Sequence, residues 1–110
     1  MKIVVVGGTG TIGTAVVSLL KTDHDIITVG KTNGDYQIDI EDKASIKNLL
    51  KEIGEIDGII STSGNGNLGS FLSQSDEDID LAINSKLKGQ MNLIRLGIHS
   101  VKKNGFIIIT

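Results

Sequence analysis

The stretch that decides the fold is IVVVGGTGTIGTAVVSLL, residues 3–20. Its opening run, Ile3–Val6, is continuous and β-branched, which is typical of a strand buried on both faces of a parallel sheet. A glycine-rich turn, Gly7–Gly13, follows directly. The apolar residues after it recur at helical spacing: Ile12, Ala15, Val16, Leu19 and Leu20. The stretch therefore predicts a strand, a tight turn and a helix, which open a βαβ unit.

The rest of the chain continues this alternation of strands and helices. Short β-rich runs predict four more strands: Ile26–Val29, Tyr36–Ile40, Ile56–Ser61 and Phe106–Ile109. A helix is predicted over Ala44–Ile53 and ends at Gly54. The pattern predicts an α/β fold, a Rossmann-like doubly wound parallel sheet of about five strands in the order 3-2-1-4-5.

The longest predicted helical region covers residues 76–103. Ser75 is a suitable N-cap, and the acidic residues directly after it favour a helix start. Helical periodicity continues to about Lys103, with possible breaks at Gly89 and Gly97. Apolar residues of this region either contact a second copy of the chain or lie on the sheet: Leu87, Met91, Ile94, Ile98 and Val101.

Composition bounds the function classes. The 110 residues suit one domain, 1–110, and the absence of cysteine excludes a disulfide framework and a zinc-thiolate site. A net charge of -2, with Arg95 as the sole arginine, argues against nucleic-acid binding. The apolar runs are too short for a membrane span, and the N-terminus reads directly into a strand. We therefore expect a cytoplasmic protein with no membrane partner.

The glycines at 7, 10 and 13 give the pattern G-x-x-G-x-x-G between the first strand and the first helix. Glycines there let backbone amides approach a pyrophosphate, whose charge the helix N-terminus stabilises. The alternative is a plain tight turn with glycines kept for packing. A triphosphate-binding P-loop is excluded because Gly13-Thr14-Ala15 supplies no lysine.

The end of the second strand indicates which dinucleotide binds. An acid there accepts from a free ribose 2′-hydroxyl, whereas a basic residue accommodates a 2′-phosphate. Lys31 and Thr32 follow the strand, and no acid occurs before Asp35. This favours NADP over NAD, with a solvated lysine in a turn as the alternative.

With these motifs the chain resembles the N-terminal, NAD(P)-binding portion of the short-chain dehydrogenases/reductases. Gly7, Gly10 and Gly13 match that family's glycine motif, in a spacing found in its extended and atypical branches. The residues 86–93 and 30–35 are most similar to a small atypical subgroup that lacks the usual active-site residues. The chain covers the N-terminal half or somewhat more of the family's length, so we expect it to be truncated after the fifth strand.

The resemblance implies roles for residues outside the glycine motif. In the family the Asp-hydrophobic pair, here Asp39-Ile40, contacts the adenine amine, while Ser63 and Gly64 would line the adenine ribose. Alternatively Asp39 begins an ordinary loop, and Thr62–Gly69 is simply a polar, glycine-rich loop. The candidate cofactor-binding residues are Gly7, Thr9, Gly10, Thr11, Ile12, Gly13, Lys31, Thr32, Asp39, Ile40, Ser63 and Gly64.

The family's catalytic constellation is an Asn in the long helix, a Ser after the fifth strand and Tyr-x-x-x-Lys. Aligning Gly89 with the family's glycine puts Lys86 at the Asn position, and Asn84 should face elsewhere. The sole tyrosine, Tyr36, is followed four residues on by Ile40 instead of a lysine. No catalytic residue and no metal ligand is therefore predicted within this chain.

The sequence leaves three functional hypotheses open. The first is an NADP(H)-binding part of a dehydrogenase/reductase-like protein, in which hydride passes to or from a carbonyl or alcohol if a C-terminal part exists. The second is a non-catalytic dinucleotide sensor or scaffold, and the third is an inactive truncated fragment. An apolar fifth strand at the sheet edge predicts association or poor solubility, and a homo-oligomer would form through residues 76–103.

Overall fold

A computed structural model of the chain describes residues 1–64 and 69–110. Five strands are present: Lys2–Val6 (β1), Asp25–Gly30 (β2), Tyr36–Gln37 (β3), Ile56–Ser61 (β4) and Val101–Ile109 (β5). The α-helices are Thr11–Leu20 (α1), Lys43–Ile53 (α2), Asp76–Ala82 (α3) and Gln90–Gly97 (α4). A π-helical segment, Ile83–Gly89, joins α3 to α4, and a short 3-10 helix covers Phe71–Ser73.

The strands form one sheet in the order β3-β2-β1-β4-β5, and every adjacent pair is parallel. The predicted Rossmann-like sheet and its strand order are confirmed. β1 lies at the centre, with Val5 paired to Thr28 on one side and to Ile60 on the other. Two strands therefore lie on each side of β1.

The two faces of β1 belong to different apolar clusters. Ile3 and Val5 pack with Ile60 on the face that α1 covers. Val4 and Val6 belong to the larger cluster on the opposite face, under α2 and α4. Because successive strand residues point to opposite faces, the β-branched run Ile3–Val6 is buried on both.

The larger cluster joins α2 and α4 to the sheet. Its buried side chains from α2 are Ile46, Leu49, Leu50 and Ile53, and α4 contributes Leu93. The helix predicted over Ala44–Ile53 is confirmed and begins one residue earlier. Asp42 caps this helix by accepting a hydrogen bond from the Ala44 amide at 3.0 Å, and Gly54 ends it as predicted.

The inner face of α1 differs from the predicted one. Val16, Val17 and Leu20 pack toward the sheet, whereas Ile12 and Leu19 are 61% and 78% exposed. The buried Gly13 sets this rotation, since it brings the helix against the turn and puts residues three, four and seven positions later on the same face.

The predicted helix over residues 76–103 is only partly correct. Ser75 caps α3 through a capping box with Asp78, as the sequence indicated. The helical run, however, passes through a π-helical segment and ends at Gly97. The two glycines predicted as breaks lie where the run touches other elements, since a Cβ would meet Ile40 at Gly89 and Ile59 at Gly97.

Lys102 and Lys103 lie in β5, not in a last helical turn as predicted. The Ile56 amide donates to the Ser100 carbonyl at 2.9 Å, so pairing with β4 begins directly after the helix. The register then shifts between Ile56 and Gly58, and Asn104 has a positive φ of 68°. β5 consequently starts five residues before the predicted Phe106.

The other boundaries are close to prediction, with one exception. β4 matches, and β2 is longer by one residue at each end. β3 ends at Gln37, not at Ile40, although the Ile38 amide still donates to the Gly30 carbonyl at 2.9 Å. Of the predicted loop Thr62–Gly69, residues 65–68 lie outside the described part. Across residues 1–64 and 69–110, no helix is long and apolar enough to cross a membrane.

Asp57 of β4 contacts both neighbouring strands, β1 and β5, at the amino end of the sheet. Its Oδ2 accepts a hydrogen bond of 2.7 Å from the Lys2 amide of β1. Its Oδ1 lies 3.7 Å from the Lys102 ammonium of β5. The hydrogen bond from Lys2, aided by the charge of Lys102, lowers the pKa of the Asp57 carboxyl below its ordinary 3.8, although desolvation opposes the shift.

We expect Asp57→Asn to lower the melting temperature at pH 7. Because the folded-state pKa is depressed, the carboxylate contributes its full stabilisation above about 3.8 and loses it as pH falls through the folded-state value. Thermal melts at pH 7 and pH 3 measure this, and the gap between wild type and variant should narrow at pH 3. Exposed Glu55 supplies the control Glu55→Gln, and equal effects of the two variants would contradict the assignment.

Candidate functional site

A cleft of about 300 Å³ lies at the carboxyl end of the central strands. The ends of β1, β2 and β4 contribute Val6, Gly30 and Thr62 to its walls. In this sheet the chain leaves β1 for β2 on one side and later returns to β4 on the other. Ligands of open α/β sheets bind at such a switch point.

The turn after β1 is tied to both neighbouring strands. The Gly7 amide donates to the Val29 carbonyl at 2.7 Å, and the Thr62 amide donates to the Val6 carbonyl at 2.8 Å. The Gly10 amide closes the turn on the Gly7 carbonyl at 3.0 Å. Gly7 itself has a φ of 86°, in the left-handed region that favours glycine. The loop is therefore held in one shape by backbone bonds.

Gly13 provides the closest approach of α1 to this turn. A Cβ on Gly13 would overlap the Gly7 carbonyl and lie 2.7 Å from the Gly8 Cα. At Gly10, by contrast, the nearest atom to an added Cβ is the Gly7 oxygen at 3.4 Å, an ordinary contact. Gly13 is thus required for packing, whereas Gly10 leaves open space at the cleft.

The N-terminus of α1 presents amide donors at the glycine turn. Gly10 is its N-cap and makes no side-chain cap bond, and the first intrahelical bond runs from the Thr14 amide to the Gly10 carbonyl. The amides of the first turn, residues 11–13, therefore have no helical acceptor. Together with the positive end of the helix dipole, they can hold a phosphate group.

Lys31 and Thr32 lie at the rim of the cleft beside Gly30. The Lys31 ammonium is 4.0 Å from the Asp39 carboxylate, and both side chains are largely exposed. Such a pair contributes little stability in water, so Lys31 can exchange this partner for another anion.

Asp35, the first acid after β2, faces another direction. Its Oδ2 accepts from the Thr28 amide at 2.9 Å and from the Thr28 hydroxyl at 3.1 Å, while its own amide donates to that hydroxyl at 3.0 Å. Asp35 is not among the residues that line the cleft. A ribose bound at the end of β2 would therefore meet Lys31 and Thr32 before any carboxylate of that loop.

The opposite wall of the cleft is formed by Asp39, Ile40 and the residues after β4. Ser63 and Gly64 line the cleft there, and the Ser63 hydroxyl lies 2.8 Å from the Ser61 hydroxyl. Ile40 is buried, and its carbonyl accepts from the Asn92 side-chain amide at 3.0 Å. These small and apolar groups form a shallow surface that suits a flat ring.

The structure brings most of the predicted cofactor residues together. Nine of the twelve line the cleft: Gly7, Thr9, Gly10, Lys31, Thr32, Asp39, Ile40, Ser63 and Gly64. The other three, Thr11, Ile12 and Gly13, form the first turn of α1, where Gly13 is buried and Thr11 and Ile12 are exposed. The structure therefore places them beside the cleft, at its helical end.

Six residues that line the cleft are not among the predicted cofactor residues: Val6, Gly30, Ile38, Glu41, Thr62 and Ser85. Ser85 is buried in the π-helical segment, and its position depends on an irregular helix turn that hydrophobic periodicity does not predict. Glu41 follows the Asp-hydrophobic pair and reaches the cleft because β3 ends early, at Gln37.

Lys86 lies beyond this wall, at the carboxyl ends of β4 and β5. Its ammonium donates to the Ser63 carbonyl at 3.2 Å and to the Thr110 hydroxyl at 3.4 Å. Asn84, as predicted, faces elsewhere and lines a separate groove. Tyr36 lies on the β3 side and does not line the cleft. Among the described residues, no three His, Cys, Asp or Glu side chains are grouped to hold a metal ion.

Comparison with known sequences gives the family of this chain. A family described as the NAD dependent epimerase/dehydratase family matches residues 3–104. The chain belongs to the NAD dependent epimerase/dehydratase family. The amides of the first turn of α1 have no helical acceptor, and amides of this kind can hold phosphate groups.

Solved structures share the fold of this chain, as the predicted resemblance to short-chain dehydrogenases/reductases implies. The protein lin1944 from Listeria innocua superposes with a TM-score of 0.91 and 36% identity, over 97% of this chain and 54% of that one. A small-chain dehydrogenase in complex with NADPH superposes with a TM-score of 0.87 and 24% identity, over 99% and 49%. At that identity the second likeness shows the fold alone.

One curated relative is named as an oxidoreductase. Oxidoreductase UcpA of Escherichia coli strain K12 is 32% identical over 77 residues, which are 64% of this chain and 29% of UcpA. The family member thus spans about half the length of its solved neighbours and a smaller part of UcpA.

The two glycines of the turn give a matched pair of variants. Gly13→Ala should destabilise the fold by about 1–3 kcal/mol, because its Cβ overlaps the Gly7 backbone. Gly10→Ala should cost less than about 1 kcal/mol, the difference between glycine and alanine at an N-cap. Urea unfolding measures both, and equal losses of stability would contradict the packing role assigned to Gly13.

Proposed function

We propose that residues 1–110 form one NADP(H)-binding domain, in which Lys31 and Thr32 recognise the 2′-phosphate. The observation that carries the proposal is the geometry after β2. Asp35 is turned to Thr28 by three hydrogen bonds, and Lys31 stands at the cleft rim. A basic residue at this place suits a phosphorylated ribose, and a carboxylate would suit a free 2′-hydroxyl.

The Asp39 carboxylate sets the strength of this recognition. It lies 4.0 Å from the Lys31 ammonium. A dianionic 2′-phosphate attracts that ammonium more strongly than one exposed carboxylate does. NADPH binding would then transfer Lys31 from Asp39 to the phosphate, leaving the Asp39 carboxylate free to accept from the adenine amine.

The remaining cleft residues take the rest of the dinucleotide. The pyrophosphate would lie over Gly10 against the free amides of residues 11–13, with Gly7 and Thr9 beside it. Ile40 would support the adenine, while Ser63 and Gly64 would face its ribose. The exposed Ile12 gives the nicotinamide end an apolar contact. The position of these residues in or beside the cleft and the family resemblance support these assignments.

The proposed reaction of the whole protein is hydride transfer between the nicotinamide and a carbonyl or alcohol. The bound dinucleotide supplies the hydride, and this chain binds and orients it. We further propose a cytoplasmic protein that associates through residues 76–103, where Leu87, Met91 and Ile98 are exposed.

One observation favours a second candidate, a non-catalytic dinucleotide sensor or scaffold. Reduction of a carbonyl needs a proton donor within hydrogen-bond reach of its oxygen. The sole tyrosine, Tyr36, lies on β3 outside the cleft, with Ile40 where the family has lysine. A sensor would bind the dinucleotide without turning it over.

The preference for NADPH has a direct test in Lys31→Asp. We expect NADPH affinity to fall by about 10- to 100-fold, because a charge-assisted hydrogen bond is lost and a repulsive charge is added. NADH affinity should change little, so the preference should reverse. Fluorescence titration with both dinucleotides measures it.

Lys103→Asp, an exposed charge reversal on β5, is the matched control and should leave both affinities unchanged. An unaltered NADPH-to-NADH ratio in Lys31→Asp would remove Lys31 from the site. Failure of the folded wild-type chain to bind either dinucleotide would remove the proposal itself.

A turnover screen tests whether residues 1–110 carry out hydride transfer by themselves. The chain is incubated with NADPH and a panel of aldehydes and ketones, and absorbance at the reduced-nicotinamide band is followed. A sensor should bind NADPH and leave it unoxidised with every carbonyl, whereas substrate-dependent oxidation would assign the hydride transfer to these residues.

A further inference from the structure

A second groove lies between the start of α2 and the helical run that leads into α4. Its volume is about 460 Å³, larger than the dinucleotide cleft, and Lys43, Lys88, Met91, Asn92 and Arg95 line it. A smaller depression of about 190 Å³ continues it, shares Lys43, Asn92 and Arg95, and adds Lys47. We refer to both together as the α2–α4 groove.

The α2–α4 groove concentrates positive charge in a chain whose net charge is negative. Four of the 11 lysine and arginine residues line it, Lys43 and Lys47 from the α2 side, Lys88 and Arg95 from the other. Glu41 is the one acidic residue on its walls. In the described part of the chain, the ion pairs join Lys31 to Asp39 and Lys102 to Asp57, so no groove cation has an acidic partner within 4.0 Å.

The positive charge of Lys43 lies at the N-terminus of its own helix, α2. Lys43 is the first residue of α2, next to the capping carboxylate of Asp42, and the first turn itself contains no acidic residue. The N-terminus of a helix carries partial positive charge, so the Asp42 carboxylate is favourable there and the Lys43 cation is unfavourable. Lys47, one turn further, adds a like charge on the same side. A bound anion would relieve each of these repulsions.

The walls also offer groups that suit an organic body. The Met91 side chain is 46% exposed in the groove. Asn92 is nearly buried, and its side-chain amide is held by the Ile40 carbonyl at 3.0 Å. This fixed amide and the Met91 thioether line the same groove as the cations.

We propose that the α2–α4 groove binds a small molecule that carries two or more phosphate groups. Lys88 and Arg95 are two helical turns apart, about 10 Å along the axis, so charge is spread over a length that one phosphate does not span. Arginine binds phosphate oxygens in a bidentate manner, and lysine ammonium groups act as point charges toward them. The site is separate from the dinucleotide cleft, and Glu41 is the residue that lines both.

The methionines provide a local probe for this site. The chain has two, Met1 at the N-terminus and Met91 in the groove. In a chain labelled with carbon-13 at the methionine methyl groups, inorganic tripolyphosphate is titrated at constant ionic strength. We expect a saturable shift of the Met91 resonance and none of the Met1 resonance, and an unmoved Met91 resonance would overturn the proposal.

Two double variants decide whether the groove cations are responsible. Lys88→Gln with Arg95→Gln should weaken the apparent affinity at least tenfold. Lys21→Gln with Lys103→Gln removes the same charge from exposed positions elsewhere and should leave it unchanged. Equal losses in both would mean general charge attraction and overturn the site. Citrate binding as tightly as tripolyphosphate would overturn the assignment to phosphates.

Discussion

The structure depends on the close approach of Gly13 to the Gly7 carbonyl, which leaves no room for a Cβ. This contact fixes where α1 begins relative to the end of β1. It therefore fixes which α1 side chains reach the sheet, and it places the first helical turn against the glycine turn whose Gly7 and Gly10 line the cleft. One steric constraint thus determines both the packing of the first βαβ unit and the position of the helix N-terminus next to the cleft.

The cleft results from the position of β1 between β2 and β4. Because β1 pairs with β2 on one side and β4 on the other, the loops after these strands diverge and leave a space between them. The loop after β2 supplies a cation, and the loop after β4 supplies small polar groups. The family match is the basis for proposing a nicotinamide dinucleotide in this space, and the position of Lys31 is the basis for proposing the phosphorylated form.

Much of the fold follows from local patterns. The β-branched run Ile3–Val6, the glycine turn after it and the amphipathic segment before Gly54 predict a strand, a turn and a helix, and the sheet order follows from the alternation of strands and helices. The candidate cofactor residues could be named because strand ends and glycine turns are visible in sequence. Nine of them line the cleft and three form the adjacent helical turn.

Other features depend on tertiary contacts that periodicity does not carry. The helical run ends at Gly97, and the Ser100 carbonyl after it accepts a hydrogen bond from the Ile56 amide of β4. Lys102 and Lys103, which would suit a helix end, therefore lie in β5. The orientation of Asp35 depends on Thr28 of the neighbouring strand. The α2–α4 groove joins residues more than 40 positions apart, and only packing of the two helices reveals that their cations share one surface.

The central claim is that the glycine turn and the first turn of α1 hold the dinucleotide phosphates. Amide proton–nitrogen spectra of the chain during NADPH titration test it most directly. The account predicts that the amides of residues 10–13 shift and saturate together with that of Lys31, while those of the distant β5 bulge at Asn104 do not move. Saturation of NADPH binding with the glycine-turn amides unmoved would contradict the account.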